Sequence, residues 1–293
     1  MNQIGIQGGE ASYHEIATHQ LREEAKLAYY ETFSELFAAL RNGQVSSAVV
    51  AIANNRVQFI PEPYDELTKH SGELLIIAEN YLRVEHALLV PAGASLQTIK
   101  EVHSQTPALG QCRDFLELTL PQARIVEQHD TAMSAKIVAE MNDPTRAAIA
   151  SKKAGQLYGL NVLMDNIQDD PDNITRFLEI TLAGVAKAIK GANKTSMMLK
   201  TKQRAGSLVD ALTPFKREGI NLSNLHSRII PNTAFDMRFF VEFDAGVDEA
   251  RTKLVLEELR SMGDNCVVLG SYKSASIPIE SVIEEESGPL WRP

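Results

Sequence analysis

Thr175, Arg176 and Phe177 stand together at the head of an apolar run near the middle of the chain, just after the polar stretch QDDPDN. A hydroxyl, a guanidinium and an aromatic ring do different work. The hydroxyl gives or takes a hydrogen bond, the guanidinium fork grips a carboxylate through two, and the ring bounds an apolar surface. The Asp-Pro-Asp-Asn cluster before them is a turn signal and LEIT after them reads as strand, so the three lie at a loop-to-strand junction. There they suit a substrate site. They equally suit a turn donor, a surface charge and a core ring, and these residues alone leave both readings open.

Other reactive residue types are dispersed. His19, His70, His103 and His129 lack ligand spacing, so no zinc site is expected. Cys112 and Cys266 are far apart and form neither a disulfide framework nor a metal spacing. Reduced thiols in a cytoplasmic protein are expected, with Cys112 a small buried filler. The N-terminal MNQIGIQGGEA has no basic or apolar leader pattern, and no apolar run reaches the length of a membrane span. With 29 Lys and Arg against 38 Asp and Glu, the net charge of -9 argues against a nucleic-acid surface. It leaves room for a small anion held by a few local donors. A hydrophobic content of 44% is enough for real cores, and 293 residues allow two domains.

The elements that must position these residues alternate. QIGIQ (3–7), SSAVVAIAN (46–54), LLIIAENYL and EHALLVPAG (74–93), ARIVEQH (123–129), RAAIAS (146–151) and NVLMDNIQ (161–168) read as strands. ETFSELFAALRNG reads as a helix closed by Gly43, with Phe33, Leu36, Phe37 and Leu40 on one face. Ser12 is placed to cap a helix after the first strand. SLQTIKEVHSQ (95–105), KKAGQLYG and DTAMSAKIVAEMN are helical in pattern, the last capped by Asp130 or Thr131. This alternation implies an α/β fold. After a basic, small-residue stretch at 184–194 the order becomes β-α-β-β-α-β over 195–273, a ferredoxin-like layout. SASIPIESVIEEESGPLWRP, with its lone Trp291, is left as a tail at 274–293.

Over residues 3–273 the order and motifs resemble the prephenate dehydratases. The resemblance rests on TFSELFAALRNG, TPALGQC (106–112), the DTAMSA helix start, and AAIASKKAGQLYGLNVLMDNIQDDPDNITRF (147–177). It implies a catalytic domain at 1–183 with two α/β lobes like a type 2 periplasmic binding protein. A linker at 184–194 and an ACT-type regulatory domain at 195–273 follow. It implies conversion of prephenate to phenylpyruvate without metal or organic cofactor, under control by phenylalanine, in a homodimer or homotetramer. Thr175 then is the catalytic residue, with Arg176, Phe177, Asn54, Ser12 and Thr131 at the substrate. Gln111, Cys112 and Asp130 fall at the pocket edge. Gly206, Ser207 and Leu208, with Ser227 and Arg228, match the effector motifs.

The chain departs from that pattern in places. Ala11 stands where a glycine is common and His14 where a serine is common. In AIANNRVQF (51–59) Asn54 matches, but Ala51 replaces a proline, Ala53 a glutamate and Asn55 a serine, and Gln58 and Phe59 stand at a Gly-Ser pair. His226 and Ile229 replace the Glu and Pro that flank Ser227 and Arg228 in the effector motif. These changes keep two alternatives open: an enzyme acting on arogenate or on another fate of prephenate, and a non-catalytic amino-acid sensor.

Overall fold

The computed structural model describes residues 3–56, 58–230, 233, 236–263 and 265–278. Trp291 and all of the expected tail beyond residue 278 lie outside the described residues. In chain order the elements begin with β1 (Gln3–Gln7), α1 (Tyr13–Leu21), β2 (Lys26–Tyr30), α2 (Phe33–Arg41), β3 (Ser47–Asn54), β4 (Gln58–Phe59) and α3 (Pro61–Lys69). They continue with β5 (Leu74–Arg83), β6 (Ala87–Val90), β7 (Glu101–Ser104), α4 (Thr106–Gln111), α5 (Arg113–Thr119) and β8 (Arg124–Glu127). Next come α6 (Thr131–Met141), β9 (Arg146–Ala150), α7 (Lys152–Tyr158), β10 (Asn161–Met164) and β11 (Ile174–Leu182). The last six are β12 (Lys194–Lys200), α8 (Ser207–Arg217), β13 (Leu222–Ile229), β14 (Met237–Phe243), α9 (Ala250–Ser261) and β15 (Asn265–Tyr272).

These elements fall into two compact units. One holds the chain up to Asn80 together with Arg176–Ala275, the other Tyr81–Thr175 with the described residues from Ser276. A ten-stranded sheet runs in the order β13-β14-β12-β15-β5-β11-β3-β1-β2, with β4 paired to β3. A five-stranded sheet runs β10-β6-β9-β7-β8.

In the first unit, the amphipathic helix α2 buries Leu36, Phe37 and Leu40 against Val50, Ile52, Leu178 and Ile180 of the sheet. Its start is fixed by a capping box, Thr32 accepting from Glu35 N–H while Glu35 reaches back to Thr32 N–H. Strands β3 and β11 are buried along almost their whole length, as expected for strands covered on both faces. Strands β12–β15 with α8 and α9 enclose a core of Met197, Phe215, Val241, Phe243, Val255 and Leu259. Where β15 meets β5, Gly270 lies against Ile76, and a Cβ at 270 would come within 2.2 Å of the Ile76 carbonyl oxygen. Only glycine permits that approach.

The second unit packs Leu88, Val102, Leu109, Cys112 and Ile149 around its own sheet. Here one expectation fails. Residues 95–105 are not a helix but a turn leading into β7, which pairs in parallel with β8 and β9. The Thr98 hydroxyl donates to Ser95 O at 2.9 Å and accepts from Ser95 N–H at 2.9 Å, closing a local turn in place of a helical one. Strand β2 and helix α3 were not apparent in the sequence pattern. Among the described residues no helix is long and apolar enough to cross a membrane.

Candidate functional site

Side chains alternate along a strand, so Thr175 and Phe177 project from one face of β11 and Arg176 from the other. Phe177 is fully buried, and the His14 ring stands edge-on to it with centroids 5.2 Å apart. His14 also packs against Phe33 at 5.9 Å, and its Nε2 accepts from Ala51 N–H at 3.1 Å. Ser12 caps α1 by accepting from Glu15 N–H, and its own side chain is buried. Asn54 closes the turn after β3, its Oδ1 accepting from Arg56 N–H at 2.8 Å.

On the opposite face of β11, Arg176 enters a buried ionic cluster. Its Nε–H donates to Glu79 at 2.8 Å, and its two terminal nitrogens donate to the two oxygens of Glu242 at 2.6 and 3.0 Å. One terminal nitrogen also donates to Tyr272 Oη at 3.1 Å. Lys194 donates to Glu79 at 2.9 Å, and Ser196 Oγ donates to Glu242 at 2.9 Å. Burial opposes ionisation of Glu242, yet the charge and hydrogen bonds of Arg176 hold its carboxyl below the ordinary range. Two cations and two carboxylates thus neutralise one another across β5, β11, β12 and β14. The sequence reading missed Glu79, Glu242 and Tyr272 because each sits singly within an apolar strand pattern, and Lys194 because it was read as the end of the basic linker, whereas it opens β12.

In the second unit, Gln111 joins two buried groups. Its Oε1 lies 2.8 Å from His86 Nε2 and accepts from Asn173 Nδ2 at 2.9 Å. Asn173, two residues before Thr175, is 1% exposed and anchors the backbone through its carbonyl, which accepts from Val84 N–H at 2.7 Å. Gln111 bonds this way only if His86 carries its proton on Nε2. Thr131 is buried at the first turn of α6, whose cap is Asp130, accepting from Met133 N–H at 2.8 Å. Cys112 is buried, and desolvation pushes its thiol far above the ordinary range, which suits a filler and not a nucleophile.

Burial lowers the His86 imidazole from 6.5 to about 4, against the raising effect of its bond to Gln111. The folded protein therefore holds this ring neutral while the unfolded chain takes up a proton as pH falls through 6.5. Stability present above pH 6.5 is lost on going down towards pH 4, by about 2–3 kcal/mol at pH 4.5 for this group. Urea unfolding of wild type and His86→Asn at pH 7 and 4.5 checks this. The variant is expected to be less stable at pH 7 and to lose less on acidification. An acid limb of the same size in both removes His86 from the account.

The effector-motif residues are placed separately. Gly206 adopts a left-handed conformation at the start of α8, with Ser207 buried and Leu208 half-buried after it. On β13, Ser227 points outward while His226 and Arg228 face the other way. His226 stacks on Phe59 with centroids 3.7 Å apart, Phe59 stacks on Tyr64, and Arg228 pairs with Asp65 at 2.8 Å. Two departures noted in the sequence, Phe59 and His226, are thus in contact. Among the described residues no group of three or more His, Cys, Asp and Glu side chains is placed to hold a metal ion.

Both units are built of strands and helices in α/β order, and the Thr-Arg-Phe run lies on strand β11. A solved prephenate dehydratase from Arthrobacter aurescens, in complex with L-Phe, matches with a TM-score of 0.84 at 28% identity, covering 93% of this chain and 90% of that one. A structure described as GqqA, a novel type of quorum quenching acylase, matches with a TM-score of 0.84 at 25% identity, covering 94% of this chain and 98% of that one. The arogenate dehydratase/prephenate dehydratase 2 of Arabidopsis thaliana is 33% identical over 280 residues, 92% of this chain and 72% of the relative. The prephenate dehydratase family profile matches residues 4–184. The chain belongs to the prephenate dehydratase family and is an enzyme of that lyase family.

Proposed function

We propose that the protein converts prephenate to phenylpyruvate, water and carbon dioxide. The observation that carries this is the placement of Thr175 and Phe177 on one face of β11 while Arg176 is tied down on the other. In the reaction the bond to the ring carboxylate breaks and its electron pair completes the aromatic ring. The ring C–O bond breaks in turn, and hydroxide leaves to become water on taking a proton. The product's aromaticity drives the step, so the site has only to orient the dianion and ease the departure of hydroxide. Thr175 donates a hydrogen bond to that oxygen, and Phe177 bounds the ring. Arg176, with its fork engaged by Glu242 and Glu79, holds the wall from which Thr175 projects. Asn54 and Ser12, both in the first unit, are assigned as further polar contacts to the substrate.

We assign residues 195–273 as an ACT-type domain that binds phenylalanine through Gly206–Leu208 and Ser227. The order β13-β14-β12-β15, with α8 and α9 between strands, supports this assignment. The stack of His226 on Phe59 and the Arg228–Asp65 pair support a direct tie from the effector-motif strand to α3 and β4. An effector acts only through unequal affinity for two states, and such a tie gives the two states a physical difference. The assembly is a homodimer or homotetramer in the cytoplasm. The test incubates purified protein with prephenate at neutral pH and follows phenylpyruvate with and without phenylalanine. Product formation that phenylalanine suppresses is expected. No product from prephenate overturns the proposal, and product formed from arogenate alone replaces the substrate.

A further inference from the structure

His14 has no part in the reaction as described above, yet its ring is tightly fixed. Ala51 N–H donates to Nε2 at 3.1 Å, and Phe33 and Phe177 stand edge-on to it. The carbonyl of His14 accepts from the Thr18 hydroxyl at 2.7 Å, which fixes the backbone beneath it. A backbone N–H donates only to a ring nitrogen that carries a lone pair. Nε2 is therefore unprotonated, and in a neutral imidazole the proton sits on Nδ1. Among the described residues no protein group bonds Nδ1, and the residue as a whole is partly exposed. Burial pushes the imidazole down to about 4, so the neutral ring is the form present at neutral pH.

The departure at position 51 is what makes this possible. A proline there has no N–H and leaves the ring free to choose its tautomer. With Ala51 in β3 and His14 in α1, two departures from the family pattern meet in one hydrogen bond. The locked donor stands against Phe177, which shares a face of β11 with Thr175.

We propose that His14 is a specificity-determining residue, a neutral donor fixed as the Nδ1–H tautomer that takes the side-chain keto oxygen of the substrate and disfavours an amine there. The inference rests on the dehydratase reading. Prephenate carries a keto oxygen where arogenate carries an ammonium. The keto oxygen accepts from Nδ1–H. An ammonium only donates, and the lone pair of the ring is already engaged by Ala51. Sites built around one required hydrogen bond reject the analogue that cannot make it.

The test compares kcat/KM for prephenate and arogenate in wild type and His14→Phe, which keeps a ring between Phe33 and Phe177 and removes the donor. Wild type is expected to favour prephenate. The variant is expected to lose about tenfold on prephenate, mostly through KM, with arogenate moving far less, as for one lost hydrogen bond. Equal losses on both acids, or no loss, overturn the proposal. Nitrogen-15 spectra of the wild-type histidine rings provide a readout independent of folding of the variant: Nδ1–H with unprotonated Nε2 is expected, and the reverse tautomer overturns it. Equilibrium binding of both acids is also measured in a Thr175→Ala background. If wild type converts neither acid, the dehydratase reading falls, and this binding ratio with and without His14→Phe still decides the role of His14.

Discussion

Thr175→Val is expected to abolish most turnover of prephenate while the protein stays folded. The substitution is close to isosteric, so strand β11 and its neighbours Ile174 and Arg176 keep their packing, and the hydroxyl is what is lost. A threonine hydroxyl is too weak an acid to transfer a proton outright, but a donor aimed at a departing oxygen acts where negative charge develops. Removing one such donor costs on the order of 10²–10³ in kcat, within the 10²–10⁴ that positioned acid catalysis supplies. Thr175 is 9% exposed, so water reaches it poorly and is a poor substitute for the missing group. Thr175→Ser, which restores the hydroxyl with more freedom, recovers part of the rate. The measurement is kcat and KM for the three proteins, with thermal melts as a control on folding. A valine variant within twofold of wild type removes Thr175 from the chemistry.

Much of the architecture was legible because it is written in local rules. The helix 33–41 follows from its apolar face and the closing Gly43, the buried strand 47–54 from its apolar run, and the strand 174–182 from LEIT after a turn signal. Residues 95–105 misled because their apolar spacing fits a helix. The Ser95–Thr98 bonds and the pairing of β7 between β8 and β9, which decided the outcome, are interactions that spacing does not encode. The site was legible only as a set of residue types. Thr175, Arg176 and Phe177 stood out, but which side of the strand each faces depends on partners far along the chain. Arg176 reads as a carboxylate ligand in the sequence, and it is one, but the carboxylates are Glu79 and Glu242, 97 and 66 residues away. The departures at 51, 14, 59 and 226 looked like four separate losses. In the fold they form two contacts, Ala51 with His14 and Phe59 with His226.

Arg176→Met is expected to be the most destabilising single change in the first unit. The methionine fills much of the space of the aliphatic stem but removes the positive charge. Glu79 and Glu242 then remain buried with Lys194 as the only cation of the cluster, one carboxylate in excess, and Tyr272 Oη loses a donor. Breaking a buried ion pair from one side costs roughly 3–5 kcal/mol, because the abandoned charge keeps its desolvation penalty. Arg176→Lys does not restore the network: an ammonium cannot span both oxygens of Glu242 and also reach Glu79, since it lacks the planar fork. Removing charge from both sides, as in Arg176→Met with Glu242→Gln, is expected to recover part of the loss, because Lys194 and Glu79 then balance. Urea midpoints for the four proteins measure this. If Arg176→Met falls within 1 kcal/mol of wild type, the cluster is not what holds β11 to β14. Arg176 adjoins Thr175 in the chain, so under the proposed role of Thr175 the same loosening shifts the hydroxyl away from the leaving oxygen. A fall in kcat larger than the rise in KM is then expected in Arg176→Lys at temperatures where it remains folded.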